Sequence, residues 1–177
     1  GTKAAWWRIA DSLERLGVPV TVSTCGLAAE LSPWLIHDAV ARGHEISCHG
    51  WRWEKHAHME EAKERETIAR TVKALTEIAG TRPVGWHTRS TPSPNTRRLL
   101  VEEGGFLYDS DDYSDDLPFH VDVGGRRHLV LPYSFDTNDM QFQHTQRFAT
   151  AGSFAEYVCD AYDWLWKEGA SAPRMLS

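Results

Sequence analysis

Three features of the sequence predict an α/β fold of parallel strands flanked by helices. Short β-branched or apolar runs alternate with longer segments of helical periodicity, most helical segments close on a glycine, and polar or titratable residues gather just beyond the strand-like runs. Such alternation gives a barrel or an open sheet with helices outside. The chain opens on a helix and stops on entering a strand, which fits a closed barrel lacking its first and last strands. No repeat, linker or low-complexity run divides it, so 1–177 reads as a single domain with a real core.

In order, Ala5 to Leu16 carries a helical stripe at Trp6, Ile9, Leu13 and Leu16, stopped by Gly17. Val18 to Thr24 reads as a strand. Ser32 and Pro33 form an N-cap and first-turn pair for a helix through Trp34, Ile36 and Val40 to Gly43. Glu45 to Cys48 is a short buried strand. Met59 to Ala79 is a charge-rich helix with a solvated face, buried along Ile68, Val72, Leu75 and Ile78, and ended by Gly80. Val84 to Thr88 is the next strand, and Asn95 caps a helix running to Gly104 and Gly105. Phe106 to Asp109 and His128 to Pro132 are further strands, with a turn at Gly124-Gly125. Ser153 caps a last helix with Phe154, Tyr157, Val158, Ala161 and Leu165 on one side, and Met175-Leu176 begins a strand.

A net charge of -6 with scattered basic residues leaves no electrostatic footprint for nucleic acid or an anionic membrane. No apolar run approaches the roughly 20 residues needed to span a bilayer, and no secretory signal opens the chain. The three cysteines, Cys25, Cys48 and Cys159, have no metal-like spacing and favour buried thiols in a reducing cytoplasm. Eight tryptophans and nine histidines suit ligand-lined loops, a wide interface or an aromatic core.

Folds of this class place their chemistry at the carboxyl ends of the strands. Those ends supply Thr24, His49, His87 with Arg89, Asp109 with Asp111, and Asp136 with Asn138. Polar groups converging on one rim suit hydrolysis, in which a base takes a proton from water and cations or donors stabilise the oxyanion. His49 is the first candidate for the centre. Arg52, between Trp51 and Trp53, offers a cation and flat walls for a small polar ligand, and the competing reading is a capped loop closing the barrel end. Asp111 is a base or an orienting carboxylate, or else an acidic turn capping backbone amides. Cys48 and His49 are strand neighbours on opposite faces, a poor nucleophile–base pair. His56 and His58 match no common zinc spacing.

RGHEISCHGWRW, Arg42 to Trp53, resembles the second motif region of the polysaccharide deacetylase superfamily (NodB-type, carbohydrate esterase family 4), and within it the cofactor-independent bacterial allantoinases. Further matching blocks are Gly85-Trp86, Pro94 to Asp111, Asp115 to Phe119, Leu131 to Phe142 and Glu168 to Ser177. The resemblance implies a distorted (β/α) barrel of fewer than eight strands. Metal-dependent members carry a second histidine four positions after the first, where this chain has Trp53, so the resemblance implies the metal-free branch and no metal ligands here. The family's first-strand acidic motif and last-strand histidine would precede Gly1 and follow Ser177. The loop from His87 to Pro92 differs from its allantoinase-like form, in which a Gly-Arg pair is expected.

The activity implied is hydrolysis of a non-peptide carbon–nitrogen bond, most specifically metal-free opening of a cyclic amide such as the hydantoin ring of allantoin. His49 would be the polar catalyst or oxyanion donor, with Arg52 and Arg89 as clamps. Trp53 and Trp86 would be pocket walls, and Asp111 and Asn138 would orient water or substrate. Two alternatives stand beside it. One is a metal-dependent N-deacetylase of acetylated amino sugars, using zinc or another divalent metal. The other is a binding barrel without turnover. The expected partner is a small-molecule substrate, an allantoin-like ureide or acetylated amino sugar, and the expected assembly a homo-oligomer.

Overall fold

The computed structural model describes residues 2–143 and 148–177. Its elements are α1 (Thr2–Leu16), β1 (Thr21–Thr24), α2 (Gly26–Leu31), α3 (Pro33–Ala41), β2 (Glu45–Cys48), α4 (Glu61–Ala79), β3 (Gly85–Trp86), α5 (Thr96–Glu103), β4 (Tyr108–Asp109), β5 (Phe119–Val123), β6 (Arg126–Val130), a 3₁₀ turn (Asp139–Gln143) and α6 (Ala151–Glu168). The strands form one mixed sheet in the order β1-β2-β3-β4-β6-β5, in which only β5 runs antiparallel to its neighbour.

Alternation along the strands divides the sheet into two faces. Ile46, Cys48 and Trp86 point outward into a core shared with Ile36 and Ala39 of α3, Ile68, Val72, Leu75 and Ala79 of α4, and Leu99 and Leu100 of α5. Thr21 and Ser23 of β1, Ser47 of β2 and Tyr108 of β4 instead line a cavity on the other side. Helix α4 is placed by its apolar stripe, while its outer face carries the pair Arg65–Glu61 expected from the four-residue spacing; Glu66 pairs with Lys63, and Arg70 lies over the Trp51 ring at 3.5 Å. Gly80 ends it in the left-handed conformation at φ 73°.

The structure departs from the sequence expectations in several places. Residues Phe119–Val123 form an unanticipated strand that pairs with β6 as a hairpin. Gly124 and Gly125 turn it with φ of 61° and 81°, the double positive φ of a tight hairpin loop. Helix α2 is also new; at six residues it is too short to show periodicity. Ser32 and Asn95 precede their helices without a side-chain cap bond. Thr150, not Ser153, is the cap of α6, and Ser153 completes the capping box from the third helical position. Met175 and Leu176 form no strand and lie along the cavity instead. No described helix is long and apolar enough to cross a membrane.

Candidate active site

A cavity of about 550 Å³ opens over the inner face of the sheet. Its rim is set by strand register. Thr24 pairs with Cys48, Cys48 with Trp86, Trp86 with Asp109, and Asp109 with Val130. The next residue of each strand continues the ladder: the His49 amide donates to Thr24 at 2.8 Å, His87 to Cys48 at 2.9 Å, Ser110 to Trp86 at 2.9 Å and Leu131 to Asp109 at 2.9 Å. Cys25, His49, His87, Ser110 and Leu131 therefore form one row across the carboxyl ends.

Side chains in that row lean the same way. The Cys25 thiol donates to the His49 carbonyl at 3.3 Å, His49 Nδ1 lies 2.5 Å from the His87 carbonyl oxygen, and His87 Nδ1 lies 3.0 Å from the Ser110 carbonyl oxygen. A carbonyl oxygen only accepts, so each Nδ1 carries a proton and each neutral ring keeps its Nε2 lone pair. The two imidazoles are nearly parallel, 9° apart with centroids 5.3 Å distant. Tyr133 covers the other side of His87 at 4.5 Å. Burial pushes both histidines below their ordinary range, His87 to about 4, where the nearby His49 also disfavours a second charge.

Arg89 and Trp53 meet above this row. The Arg89 guanidinium lies 4.2 Å from the centre of the Trp53 ring, and both line the cavity. The Nε of Arg89 is buried without a hydrogen-bond partner among the described residues. Ser90, next in the chain, holds the strained φ of 62°, and its carbonyl accepts from the Tyr113 hydroxyl at 3.3 Å.

The remaining sequence candidates fall elsewhere. Arg52 is absent from the cavity lining; its side chain is 68% exposed and reaches Glu54 at 3.3 Å. Trp86 is completely buried, packed edge-on against His56 and Phe106, with Nε1 donating to Thr88 at 2.8 Å. Its indole packs in the core, and the residue is also part of the cavity lining. Asp111 lies behind the rim, accepting from the amide and the hydroxyl of Thr88, both at 2.6 Å, with its Oδ1 also 3.4 Å from His87 Nδ1. Burial pushes its carboxyl up to about 7 against those two bonds, which favour the charged form. Asn138 reaches the cavity only through Tyr133, whose hydroxyl accepts from it at 2.5 Å. Asp109 points into the outer layer, held by Arg97 at 2.8 Å and His128 at 3.0 Å. Burial would raise it, and those partners lower it to about 2. Thr24 is buried against the Val22 carbonyl, and Asp136 is exposed.

Sequence reasoning gave no role to a second buried cluster. Glu64 of α4 is fully buried, accepting from His56 Nδ1 at 2.9 Å, Ser93 Oγ at 2.5 Å and Thr96 Oγ1 at 2.5 Å. It thereby ties the loop carrying Trp53 to the loop carrying Arg89.

The donors in the cavity do not fit a metal of the kind the fold family implies. A metal lies near the plane of each imidazole that binds it. The near-parallel planes of His49 and His87 do not meet at one ion, and position 53 offers an indole. His56 spends its Nδ1 on Glu64, away from that row. Among the described residues no group of three His, Cys, Asp or Glu could hold a metal.

Comparison with known proteins gives the family. Residues 1–106 match the family model described as "Polysaccharide deacetylase". A Pseudomonas aeruginosa structure, described as a "probable Polysaccharide deacetylase", superposes with a TM-score of 0.93 at 47% identity, covering 99% of this chain and 59% of that one. "Puue Allantoinase" superposes with a TM-score of 0.91 at 47% identity, covering 97% and 57%. A Schizosaccharomyces pombe relative named "Putative polysaccharide deacetylase" is 30% identical over 196 residues, covering all of this chain and 60% of its own length. The chain thus spans 60% of that curated relative and 45% of the next, a Helicobacter pylori "Peptidoglycan deacetylase".

Proposed function

The chain belongs to the polysaccharide deacetylase family, and from that premise we propose that the protein hydrolyses a carbon–nitrogen bond of a small amide, most specifically the ring amide of an allantoin-like ureide, without a metal. The observation that carries this reading is the tautomer of His49. Its Nδ1 is committed to a backbone oxygen, leaving Nε2 as a base at the rim of a cavity sized for a small molecule. Trp53, stacked under Arg89, occupies the position where a second histidine would complete a metal site.

In this reading His49 Nε2 takes a proton from water as the oxygen attacks the carbonyl carbon. Arg89, whose side chain lines the cavity, stabilises the oxyanion. The carbon–nitrogen bond then breaks, and the proton held by His49 passes to the leaving nitrogen. Asp111 acts from behind the rim, holding Thr88 between His87 and Arg89 and standing beside the Nδ1 of His87. Asn138 orients Tyr133. Arg52, off the cavity and paired with Glu54, takes no part in this reading, and Trp86 closes the wall of the cavity from the core.

The test is turnover of allantoin by full-length protein after chelation, with the ring-opened acid followed by NMR. Continued turnover is expected. Loss of activity that zinc restores would overturn the metal-free mechanism. A second reading, N-deacetylation of an acetylated amino sugar, is favoured by the names of several relatives. Acetate release from a chito-oligosaccharide with allantoin untouched would put it first.

A further inference from the structure

The catalytic reading above uses one imidazole of the row and leaves its neighbour without a task. His87 lies in register with His49 and lines the same cavity. Its Nδ1 is likewise spent on a backbone oxygen, so its Nε2 is also an acceptor, and no described residue donates to it. The ring is held flat between His49 and Tyr133, with 16% of its side chain exposed. An acceptor kept neutral, fixed in orientation and left unpaired at a cavity wall is matched by a donor on the ligand. A second base would have no second water proton to remove in a single hydrolysis.

We propose that His87 is a substrate-binding residue whose Nε2 accepts a hydrogen bond from an N–H beside the scissile carbonyl, so that the site selects ureides and imides bearing a free N–H over N-alkylated or O-linked analogues. The inference rests on the amide-hydrolase reading for the identity of the ligand, and on this cavity alone for the acceptor. The two rings divide the work: His49 takes the proton of the attacking water, and His87 holds the N–H that fixes the carbonyl beneath that water. A ligand with N–CH₃ there places a methyl group against a lone pair that has been stripped of water, which leaves the acceptor unsatisfied.

The test uses full-length protein with ¹⁵N-labelled histidine and two probes, hydantoin and 1,3-dimethylhydantoin. Saturating hydantoin should shift the Nε2 resonance of His87 upfield, and the dimethyl compound should leave it in place. A resonance that responds to both probes or to neither overturns the proposal. If the protein opens no ring and the resonance still responds to hydantoin alone, the hydrolase reading fails and the assignment of His87 stands. With turnover, His87→Phe, which keeps a flat ring in the stack, should lower kcat/KM for the N–H substrate about ten- to hundredfold. His87→Gln, which restores an acceptor, should recover part of that loss. Equal loss on N–H and N-methyl substrates would also overturn the proposal.

Discussion

His49 Nδ1 sits 2.5 Å from the carbonyl oxygen of His87, and the two rings stack at 5.3 Å. The contact follows from strand register, because both residues extend neighbouring parallel strands by one position. It decides which nitrogen of His49 is available to chemistry. Replacing His49 with Gln should therefore lower kcat by about 10²–10⁴-fold while leaving the urea midpoint within error of wild type. A variant that keeps more than a tenth of wild-type activity would remove His49 from the mechanism.

Acid should affect rate and stability through these two rings. The base must be neutral, and burial lowers the pKa of His49, so kcat/KM should stay level as pH falls through the ordinary histidine range and decline only below it. A midpoint at or above pH 6.5 would contradict this. His87 falls from 6.5 to about 4 on folding, so its contribution to stability is complete above pH 6.5 and lost as pH drops toward 4. Asp111 works oppositely: its folded pKa of about 7 lies above the ordinary 3.8, so its contribution is complete below 3.8 and lost as pH rises through 7. Because Asp111 Oδ1 lies 3.4 Å from His87 Nδ1, the His87 slope is read as the difference between Asp111→Asn and Asp111→Asn/His87→Phe, expected to be about 2 kcal/mol between pH 7 and pH 5.

Glu64 should be the costliest carboxylate to remove. Glu64→Ala strands donors on His56, Ser93 and Thr96 in a dry interior and should cost about 3–5 kcal/mol in urea denaturation. Glu64→Gln keeps one acceptor and should cost about 1–3 kcal/mol. The Gln variant should also raise KM more than it lowers kcat, since the loops carrying Trp53 and Arg89 lose their common anchor.

Two glycines distinguish rigid from yielding neighbours. A Cβ on Gly85 would fall within the Tyr108 ring, whose hydroxyl donates to Glu45 at 3.0 Å. A Cβ on Gly105 would meet only the end of the half-exposed Arg82 side chain. Gly85→Ala should cost at least about 1–3 kcal/mol, and Gly105→Ala less than about 1 kcal/mol, by thermal or urea unfolding. Equal costs would show that Tyr108 can swing aside.

Much of the layout was legible because glycine stops, helical stripes and β-branched runs are local signals. β2, α4 and the position of His49 followed from them. The hairpin strand Phe119–Val123 was missed although its alternation and double glycine were present. Asp111 illustrates a finer point. It lies two residues after Asp109 but beyond the end of β4, so alternation does not place it, and only the fold shows it between Thr88 and the His87 ring. Glu64 lies on the same helical stripe as Ile68, Thr71 and Leu75, yet its neighbours made it look like one more solvated charge. The pairing of Arg89 with Trp53 was invisible, because it depends on two loops whose relative position only the buried cluster fixes.

The hydrogen bond that sets the tautomer of His49 comes from the peptide group at position 87, which every amino acid supplies, and not from the imidazole there. Changing the residue at 87 should therefore retune what the pocket admits while keeping the hydrogen bond that sets the tautomer of His49. On the proposed roles, selectivity and reactivity sit on adjacent rungs of one ladder, joined by a backbone group that substitution at 87 leaves in place.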